Sequence, residues 1–398
     1  MRKLDDNFIK ALNEGILKPI LTFVLDNKDK IYCGIRNNEF HIYYRGGVLG
    51  KIRQKDGKRN NDINKGKNNN YVYGYSFDKN YYEHLTEKIE IRNLPNNTIQ
   101  TSDDSERLVS FWDNVLIGVI DKFLLDKRNR NDTLERQAQH LLAVNNENNP
   151  DSNSYCIDIE YEQSPEDTEK KVFGKSDMIL VSKNKFDSNG IINKKGKYRV
   201  VIIELKYGHG CYIHDPKNRQ ELLNNTEIEG YDISNNTNES FGSGIVGHFA
   251  DFYRLIKTKK NYNIFKKDIV NIFNQKKSLN LIDNEEELKE ELIDDKLEYW
   301  IITLCNNEEK YHETKLRFNS CNNALMNAIK RNDFSVQKVF SKSNYNELKD
   351  KNIKFYFYRG KEIQKLENQK YRLDYLNIND VIDKTNYESI DKDVIFCE

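Results

Sequence analysis

The sequence predicts a mixed α/β protein with a small β-rich N-terminal domain, residues 1–100, and a larger domain, residues 101–398. Apolar residues alternate with a period of two over residues 31–52, which is typical of β-strands. After residue 101, segments with helical periodicity are followed by short apolar runs that are typical of buried strands. Such a succession of helices and buried strands along the chain favours a mixed sheet flanked by helices.

The N-terminal domain is predicted to contain a three-stranded meander. Residues 31–52 read IYCGIRNNEFHIYYRGGVLGKI, with turn residues at 36–39 and 45–47 between the strand-like runs. The next segment, residues 51–70, contains seven Lys or Arg and is predicted to form a mobile loop before a further strand, YVYGYSF. That loop is either a solvated excursion or a substrate-binding arm. The basic residues assigned to the arm are Lys51, Arg53, Lys58 and Arg59.

The second domain is predicted to begin with a helix capped by Thr101 and Ser102. A further helix is predicted over 133–144, then three strands, then helix to about 278. A strand at 297–305, a helix at 321–330 and a strand at 354–360 complete the prediction. The core therefore spans about 131–305, with a C-terminal elaboration. The three central strands are predicted at 156–163, 176–181 and 199–205.

Composition limits the classes of partner. Lys and Arg number 63, as do Asp and Glu, so any site for a polyanion must be local. No apolar run approaches the roughly 20 residues that span a bilayer, and two aspartates interrupt the N-terminus, so we expect a cytoplasmic protein without a membrane partner. The six cysteines are scattered, which predicts reduced, buried thiols.

The tripeptide Glu-Leu-Lys occurs three times, and its context distinguishes one copy. Glu287-Leu288-Lys289 lies in an acidic run predicted to be an exposed helix face, and Glu347-Leu348-Lys349 lies in a polar connector. Glu204-Leu205-Lys206 instead ends a run of Val and Ile predicted to be a strand covered on both sides. Because residues i and i+2 of a strand share a face, Glu204 and Lys206 are expected side by side.

Asp177 is predicted to join this pair. It begins the strand SDMILV, and Asn189-Gly190 is a strong hairpin signal between that strand and the next. A regular hairpin centred there pairs Asp177 with Ile202 and leaves Asp177 diagonal to Glu204. Two carboxylates with a main-chain carbonyl and waters suit Mg²⁺ or Mn²⁺, and Lys206 can act on a bound water. These groups favour metal-dependent phosphodiester hydrolysis.

The pattern resembles the PD-(D/E)XK nuclease superfamily, whose motif is an aspartate on one strand and Glu-x-Lys on the next. The resemblance implies a restriction-endonuclease-like core, with Asp177, Glu204 and the carbonyl of Leu205 as metal ligands and Lys206 as the catalytic lysine. It further implies a catalytic carboxylate from the preceding helix, for which Glu135 stands in place. Ser176 replaces the usual proline. The segments FGSGIVGHFADFYRLIK and IRNNEFHIYYRGG also resemble bacterial members of the superfamily.

Other interpretations of these residues stay open. Asp177, Glu204 and Lys206 could form a structural ion cluster, Glu135 could be solvated, and Glu160 could point towards the metal. The segment HGCYIHD carries His209 and three other candidate zinc ligands, but its spacing matches no structural zinc pattern and favours a substrate-lining loop. His248 is either a packing residue or a phosphate contact.

The sequence thus predicts a Mg²⁺-dependent deoxyribonuclease, with DNA as substrate in preference to RNA. The alternative is a nucleic-acid-binding or assembly protein that keeps the fold without cleaving its ligand. A homodimer and a monomer are both compatible with the sequence.

Overall fold

The computed structural model describes most of the N-terminal half and shorter parts of the C-terminal half. The described residues are 2–55, 72–77, 97–125, 130–148, 152–163, 174–207, 259–284, 286–305, 354–361, 364–365, 371–372 and 387–389. The chain divides into two compact units. The first comprises residues 1–150, 270–287 and 364–374, and the second comprises 151–269, 288–363 and 375–398. Helices and sheets occur in both, consistent with the predicted mixed α/β class.

The first unit contains a five-stranded antiparallel sheet in the order β1-β2-β3-β4-β5. The strands are β1 Ile31–Arg36, β2 Glu39–Tyr44, β3 Gly47–Lys55, β4 Val72–Ser76 and β5 Thr98–Ile99. The predicted meander is therefore confirmed. Its two tight turns place Asn37, Asn38, Arg45 and Gly46 in the left-handed region, with φ of 42°, 60°, 48° and 79°. Such turns match the twist of the paired strands.

The basic segment differs from the prediction at its start. Residues 51–55 belong to β3, where Ile52 is fully buried and Lys55 pairs with Val72 of β4. The predicted loop over 51–70 is wrong for these five residues, because strand alternation continues through a sequence that is polar on its outer face. Residues 56–71, with Lys58 and Arg59, lie outside the described residues.

Two N-terminal helices were missed by the sequence analysis. Helix α1, Asp6–Asn13, buries Phe8 and Leu12 on one side, and α2, Lys18–Asp26, starts with a proline in its first turn. Both are short, so their apolar stripes cover barely two turns and carry a weak periodic signal. The described part of residues 1–100 therefore contains these two helices beside the predicted strands.

The capped helix after residue 101 is confirmed, and it belongs to the first unit. Helix α3, Ser102–Phe111, continues through a π-turn, Trp112–Leu116, into α4, Ile117–Leu125. Thr101 and Asp104 form a reciprocal capping box. Leu108 and Trp112 lie in the same apolar core as the meander, and a Cβ at Gly50 would lie 2.5 Å from Cζ2 of Trp112. The meander and these helices thus share one core, which continues across the predicted domain boundary near residue 100.

Helix α5, Arg130–Asn148, carries a buried histidine. His140 is 1% exposed, and its Nε2 donates to the carbonyl oxygen of Lys30 at 3.0 Å. Burial lowers the pKa of His140 to about 4; the hydrogen bond to Lys30 opposes this shift, and the charge of Arg45 adds to it. The imidazole is therefore neutral in the folded protein at neutral pH.

His140 is expected to make the protein sensitive to acid. In the unfolded chain a histidine binds its proton near pH 6.5, so unfolding takes up a proton as the pH falls from about 6.5 to about 4. Over that window His140 should lower the free energy of unfolding by up to roughly 3 kcal/mol. Urea unfolding near pH 7 and near pH 4.5 should show a smaller loss for His140→Gln than for the wild type. An identical loss in both proteins would contradict the assignment.

The second unit contains a six-stranded mixed sheet in the order β13-β10-β9-β8-β7-β6. The strands β6 to β8 are antiparallel, β8 to β10 are parallel, and β13 is antiparallel to β10. Their bounds are β6 Ser154–Gln163, β7 Gly174–Phe186, β8 Lys197–Tyr207, β9 Ile293–Cys305, β10 Lys354–Lys361 and β13 Tyr387–Ser389. A short separate hairpin, which belongs to the first unit, consists of β11 Gln364–Lys365 and β12 Tyr371–Arg372. The predicted strands are confirmed at all five positions.

Helix α6, Lys259–Ser278, confirms the predicted helix up to residue 278. In the second unit, the hydroxyl of Tyr161 on β6 donates to Asp268 Oδ2 at 3.1 Å, and Phe265 packs edge-on against the same ring. The helices predicted from Gly244 and at 321–330 lie outside the described residues. Along the chain the order is thus α5, β6, β7, β8, α6, β9.

Two further expectations concern the whole chain. Among the described residues, no helix is long and apolar enough to span a membrane. Cys33 and Cys156 are free and buried, which confirms the predicted reduced thiols at these two positions.

Candidate active site

The register of β7 and β8 brings Asp177 and Glu204 to neighbouring positions. The ladder pairs Met178 with Ile203 and Ile179 with Ile202, so Asp177 and Glu204 are the next positions in the same register. The predicted pairing of Asp177 with Ile202 is wrong. Beside the turn Lys185 pairs with Tyr198 and Phe186 with Lys197, so the ladder is already offset from a regular hairpin centred on Asn189-Gly190, and the further shift between Val181 and Lys185 makes Asp177 level with Glu204.

A hydrogen bond fixes the carboxylate of Asp177 against β8. The backbone N–H of Leu205 donates to Asp177 Oδ2 at 2.7 Å. Leu205 directly follows Glu204, and its own side chain is fully buried. The backbone of β8 therefore holds the Asp177 carboxylate, and the register makes Asp177 and Glu204 neighbouring positions.

The two carboxylates differ in exposure. Glu204 is 3% exposed, whereas Asp177 is half-buried. Burial of a carboxylate is costly unless it is hydrogen-bonded, paired or bound to a cation. Two like charges at adjacent positions add repulsion, which a cation relieves. The arrangement therefore favours a cation at Asp177 and Glu204, supplied either by a metal ion or by a lysine.

Lys206 lies on the same strand as Glu204, β8. It lies two residues beyond Glu204, and its backbone is level with Thr303 of the parallel strand β9. The other Glu-Leu-Lys copy that the structure describes has no strand around it. Glu287 and Lys289 are exposed, and the predicted helix there is wrong, since only a 3₁₀ turn at Glu290–Leu292 forms. Glu347 and Lys349 lie outside the described residues.

Glu160 on β6 lies across from Asp177, and its backbone conformation is unusual. The ladder pairs Ile159 with Met178 and Tyr161 with Ser176, so Glu160 lies across from Asp177. Its φ is 49°, a left-handed value that is rare for a residue with a side chain and uncommon within a strand. Nothing in the sequence predicted this conformation.

The remaining predicted site residues are not all in the second unit. Glu135 is half-buried on α5 of the first unit, whereas Asp177, Glu204 and Lys206 belong to the second. His209 and His248 fall within residues 208–258, outside the described residues, as does the rest of HGCYIHD.

The described basic residues of the predicted substrate arm lie on the outer face of β3. Lys51 is across from His41, and Arg53 is across from Glu39. His41 Nε2 lies 2.7 Å from Glu39 Oε2, and this hydrogen bond lowers the pKa of Glu39, with smaller contributions from the charges of Lys51 and Arg53. Part of the positive charge of this face is thus balanced locally.

Asp177 and Glu204 fit a divalent cation with few protein ligands. Among the described side chains, no group of three or more His, Cys, Asp or Glu could hold a metal ion. Mg²⁺ is commonly bound by one or two carboxylates while waters and phosphate oxygens complete its shell. The hard oxygens of this pair therefore suit Mg²⁺ or Mn²⁺ better than a softer metal that requires thiolate or imidazole ligands.

Comparison with protein-family models, curated proteins and solved structures found no match to this chain. The assignment of a function therefore depends on the geometry of the sheet and on the chemistry of its residues.

Proposed function

We propose that the second unit carries a nuclease site of the PD-(D/E)XK type, which hydrolyses phosphodiester bonds in DNA in preference to RNA. One observation carries the proposal: the register of β7 and β8 makes Asp177 and Glu204 neighbours, and the N–H of Leu205 holds the Asp177 carboxylate. The described elements follow the order helix, three strands, helix, strand that the resemblance to this superfamily implies.

Asp177 and Glu204 would hold the metal ion, with the carbonyl oxygen of Leu205 and water completing the set. When bound, Mg²⁺ or Mn²⁺ supplies positive charge to a phosphate oxygen and lowers the pKa of a bound water. The hydrogen bond from Leu205 keeps the Asp177 carboxylate in one orientation, so little reorganisation is needed when the ligands assemble.

Lys206 would act on the attacking water and on the phosphate. A lysine can orient the water or take its proton, and its ammonium form stabilises the negative charge that develops on the phosphate oxygens. Its place two residues after a buried carboxylate, at the end of an apolar strand, is where such a group is useful. Lys289, in the other described Glu-Leu-Lys copy, is exposed and lacks that setting.

The other assignments belong to the same proposal. Glu135 would add a carboxylate, and His209, His248, Lys51, Arg53, Lys58 and Arg59 would contact the nucleic acid. The expected location is the cytoplasm, and a homodimer stays compatible with the site.

The test of the proposed function is incubation of purified protein with plasmid DNA and with labelled RNA, in Mn²⁺, in Mg²⁺ and in EDTA. Cleavage of DNA that requires the metal supports the proposal. Binding of nucleic acid without any cleavage under these conditions would instead support the alternative, a nucleic-acid-binding or assembly protein that does not cleave its ligand.

Metal affinity provides a test that does not depend on turnover. Asp177→Asn with Glu204→Gln removes both negative charges and should weaken Mn²⁺ binding by at least about tenfold, because each carboxylate supplies a hard oxygen to one ion. Isothermal titration calorimetry measures the affinity, and a thermal melt verifies that the variant is folded. The matched control is Glu290→Gln with Glu291→Gln, an exposed acidic pair in the same unit. Unchanged Mn²⁺ affinity in the first variant would remove these residues from the metal site.

A further inference from the structure

The turn between β7 and β8, residues 187–196, exposes two isoleucines. Ile191 is 64% exposed and Ile192 is 63% exposed, and they are the only exposed large apolar residues in the part of the chain that the structure describes. Single exposed apolar residues are common on protein surfaces. Two consecutive ones on a protruding turn form a small apolar patch that burial in the core does not explain.

The turn holds this patch in one conformation. Asp187 Oδ1 accepts from the backbone N–H of Asn189 at 2.9 Å and from that of Ile191 at 3.0 Å, and the N–H of Asp187 donates to the carbonyl of Ile191 at 2.9 Å. Gly190 supplies the left-handed residue, with φ of 82°. Asn193 N–H donates to the carbonyl of Lys185 and closes the second half of the turn.

The turn chemistry does not require isoleucine at either position. Turns favour Gly, Asn, Asp, Pro and Ser, and β-branched residues gain nothing here from packing. A preorganised turn also presents its side chains to a ligand with little loss of conformational entropy on binding. The exposure of Ile191 and Ile192 is therefore better explained by a ligand than by the fold.

Positive charge lies directly beside the two isoleucines. Lys194 and Lys195 are exposed, and neither ammonium group forms an ion pair with another described residue. The neighbouring basic residues have partners: Lys197 and Asp295 form an ion pair, and the guanidinium of Arg199 stacks on the ring of Phe186. In a chain with no net charge, this pair of lysines is a local match to a polyanion.

The small size of the apolar patch distinguishes between three possible partners: a second copy of the chain, a membrane and nucleic acid. A stable protein interface covers roughly 800 Å² on each side and has few lysines at its centre, so two isoleucines are too few for a second copy of the chain. A membrane anchor is also too weak, because the two side chains carry about eight carbon atoms and even a myristoyl chain binds membranes only marginally. Nucleic-acid-binding proteins, in contrast, insert one or two aliphatic side chains between base steps while basic residues contact the adjacent phosphates.

We infer that the turn of residues 187–196 binds nucleic acid, with Ile191 and Ile192 packed against a base step and Lys194 and Lys195 on the flanking phosphates. This inference deepens the proposed function and rests on it for the identity of the ligand. The turn is joined to Asp177 by about nine residues of β7, at most roughly 30 Å. One duplex of about ten base pairs is long enough to reach both places.

The test is binding of a labelled duplex, measured by fluorescence anisotropy with the full chain in EDTA, so that cleavage does not enter. Ile191→Ser with Ile192→Ser should weaken binding by about tenfold without changing its salt dependence, since an apolar contact releases no counterions. Lys194→Gln with Lys195→Gln should reduce the salt slope by about 1.8 on duplex DNA. A 2-aminopurine placed in the duplex should become brighter when the wild type binds and unstacks it.

Two controls keep the test specific. Ile191→Leu with Ile192→Leu retains apolar surface and should bind nearly as the wild type does. Lys259→Gln with Lys260→Gln removes another adjacent, exposed lysine pair from the same unit and should leave a larger salt slope than the turn variant does. All three pairs of residues are exposed, so the four variants are expected to keep the fold intact.

The outcomes separate this inference from the proposed function. Equal DNA affinity of the serine variant and the wild type would overturn the inference even if the protein cleaves DNA. Turn-dependent binding without cleavage in Mn²⁺ would support the inference and count against the nuclease. Isoleucine-dependent binding to anionic phosphatidylserine vesicles, or isoleucine-dependent self-association in sedimentation, with DNA affinity unchanged, would assign the patch to a membrane or to a second copy.

Discussion

Replacement of Lys206 by alanine is expected to reduce the DNA cleavage rate by at least roughly 100-fold, while the protein stays folded and still binds Mg²⁺. In a nuclease site the metal ion neutralises Asp177 and Glu204, so the lysine is not needed for the stability of the pair. It is needed for the water and for the charge that develops on the phosphate. Cleavage rates and thermal melts in Mg²⁺ buffer measure the two effects separately.

The structural ion cluster predicts the opposite result for the same variant. If Lys206 neutralises the two carboxylates, its loss leaves like charges at adjacent positions, one of them on the 3% exposed Glu204. Removal of one partner from a buried ion pair costs about 3–5 kcal/mol, so the melting temperature should fall. A lower melting temperature for Lys206→Ala, together with no DNA cleavage by the wild type, would support the structural ion cluster. Cleavage by Lys206→Ala at the wild-type rate would remove the proposed role of the lysine.

Two further variants make the comparison specific. Lys206→Arg retains the charge but should still cleave poorly, because a guanidinium does not lose its proton and occupies a different shape. Lys289→Ala alters the exposed Glu-Leu-Lys copy and should leave both cleavage and stability near the wild type. The contrast between Lys206 and Lys289 tests the importance of the strand context rather than of the tripeptide.

Replacement of Lys276 by methionine is expected to lower the free energy of unfolding by about 3 kcal/mol. In the first unit, Lys276 is 1% exposed, donates to the hydroxyl of Tyr32 at 2.9 Å and lies 3.7 Å from Glu147 Oε1. Its ammonium also lies 4.1 Å from the centroid of the Tyr32 ring. Methionine has a similar length and lacks charge, so packing is largely kept while Glu147 loses its cation.

The origin of this loss can be measured with a double-mutant cycle. Glu147→Gln in the Lys276→Met background removes the carboxylate and should restore part of the stability, which an additive effect would not do. Burial already raises the pKa of Glu147, and loss of the lysine should raise it further. The penalty should therefore become smaller as the pH is lowered from 8 and the carboxyl of Glu147 takes up its proton.

Lys267→Met is the matched control on the same helix. Lys267 is exposed, and replacement of an exposed charge usually changes stability by less than about 0.5 kcal/mol. Urea unfolding of Lys276→Met, Glu147→Gln, the double variant and this control gives the differences in unfolding free energy that the cycle requires. Equal stability of Lys276→Met and Lys267→Met would show that the buried ammonium contributes nothing.

Much of the element order was predictable from local patterns. The period of two in residues 31–52 identified β1 to β3, and the capping pattern at Thr101 identified the start of α3. The apolar run before Glu204 identified β8 as a covered strand. These features are properties of the chain over a few residues, where backbone geometry alone sets which side chains share a face.

Errors arose where the local signal was short or misleading. Helices α1 and α2 were missed because each is only two turns long, and acidic density around Glu287 suggested a helix where none forms. Lys51 and Arg53 were placed in a loop because their polarity outweighed the alternation with Ile52. Helices α1 and α2 bury two and four apolar residues, so their packing in the core stabilises elements that the local pattern indicates only weakly.

The sequence by itself determined that Glu204 follows a buried strand with Lys206 two residues on and that Asp177 heads the strand before it. Only the tertiary structure decided that Asp177 is level with Glu204 and that the N–H of Leu205 binds its carboxylate. The same is true of the core that helices α3 and α4 share with the meander. Alternation along a strand follows from the backbone of that strand, whereas the register between β7 and β8 depends on the offset beside their turn and on the irregularity between Val181 and Lys185, which form only when the two strands pair.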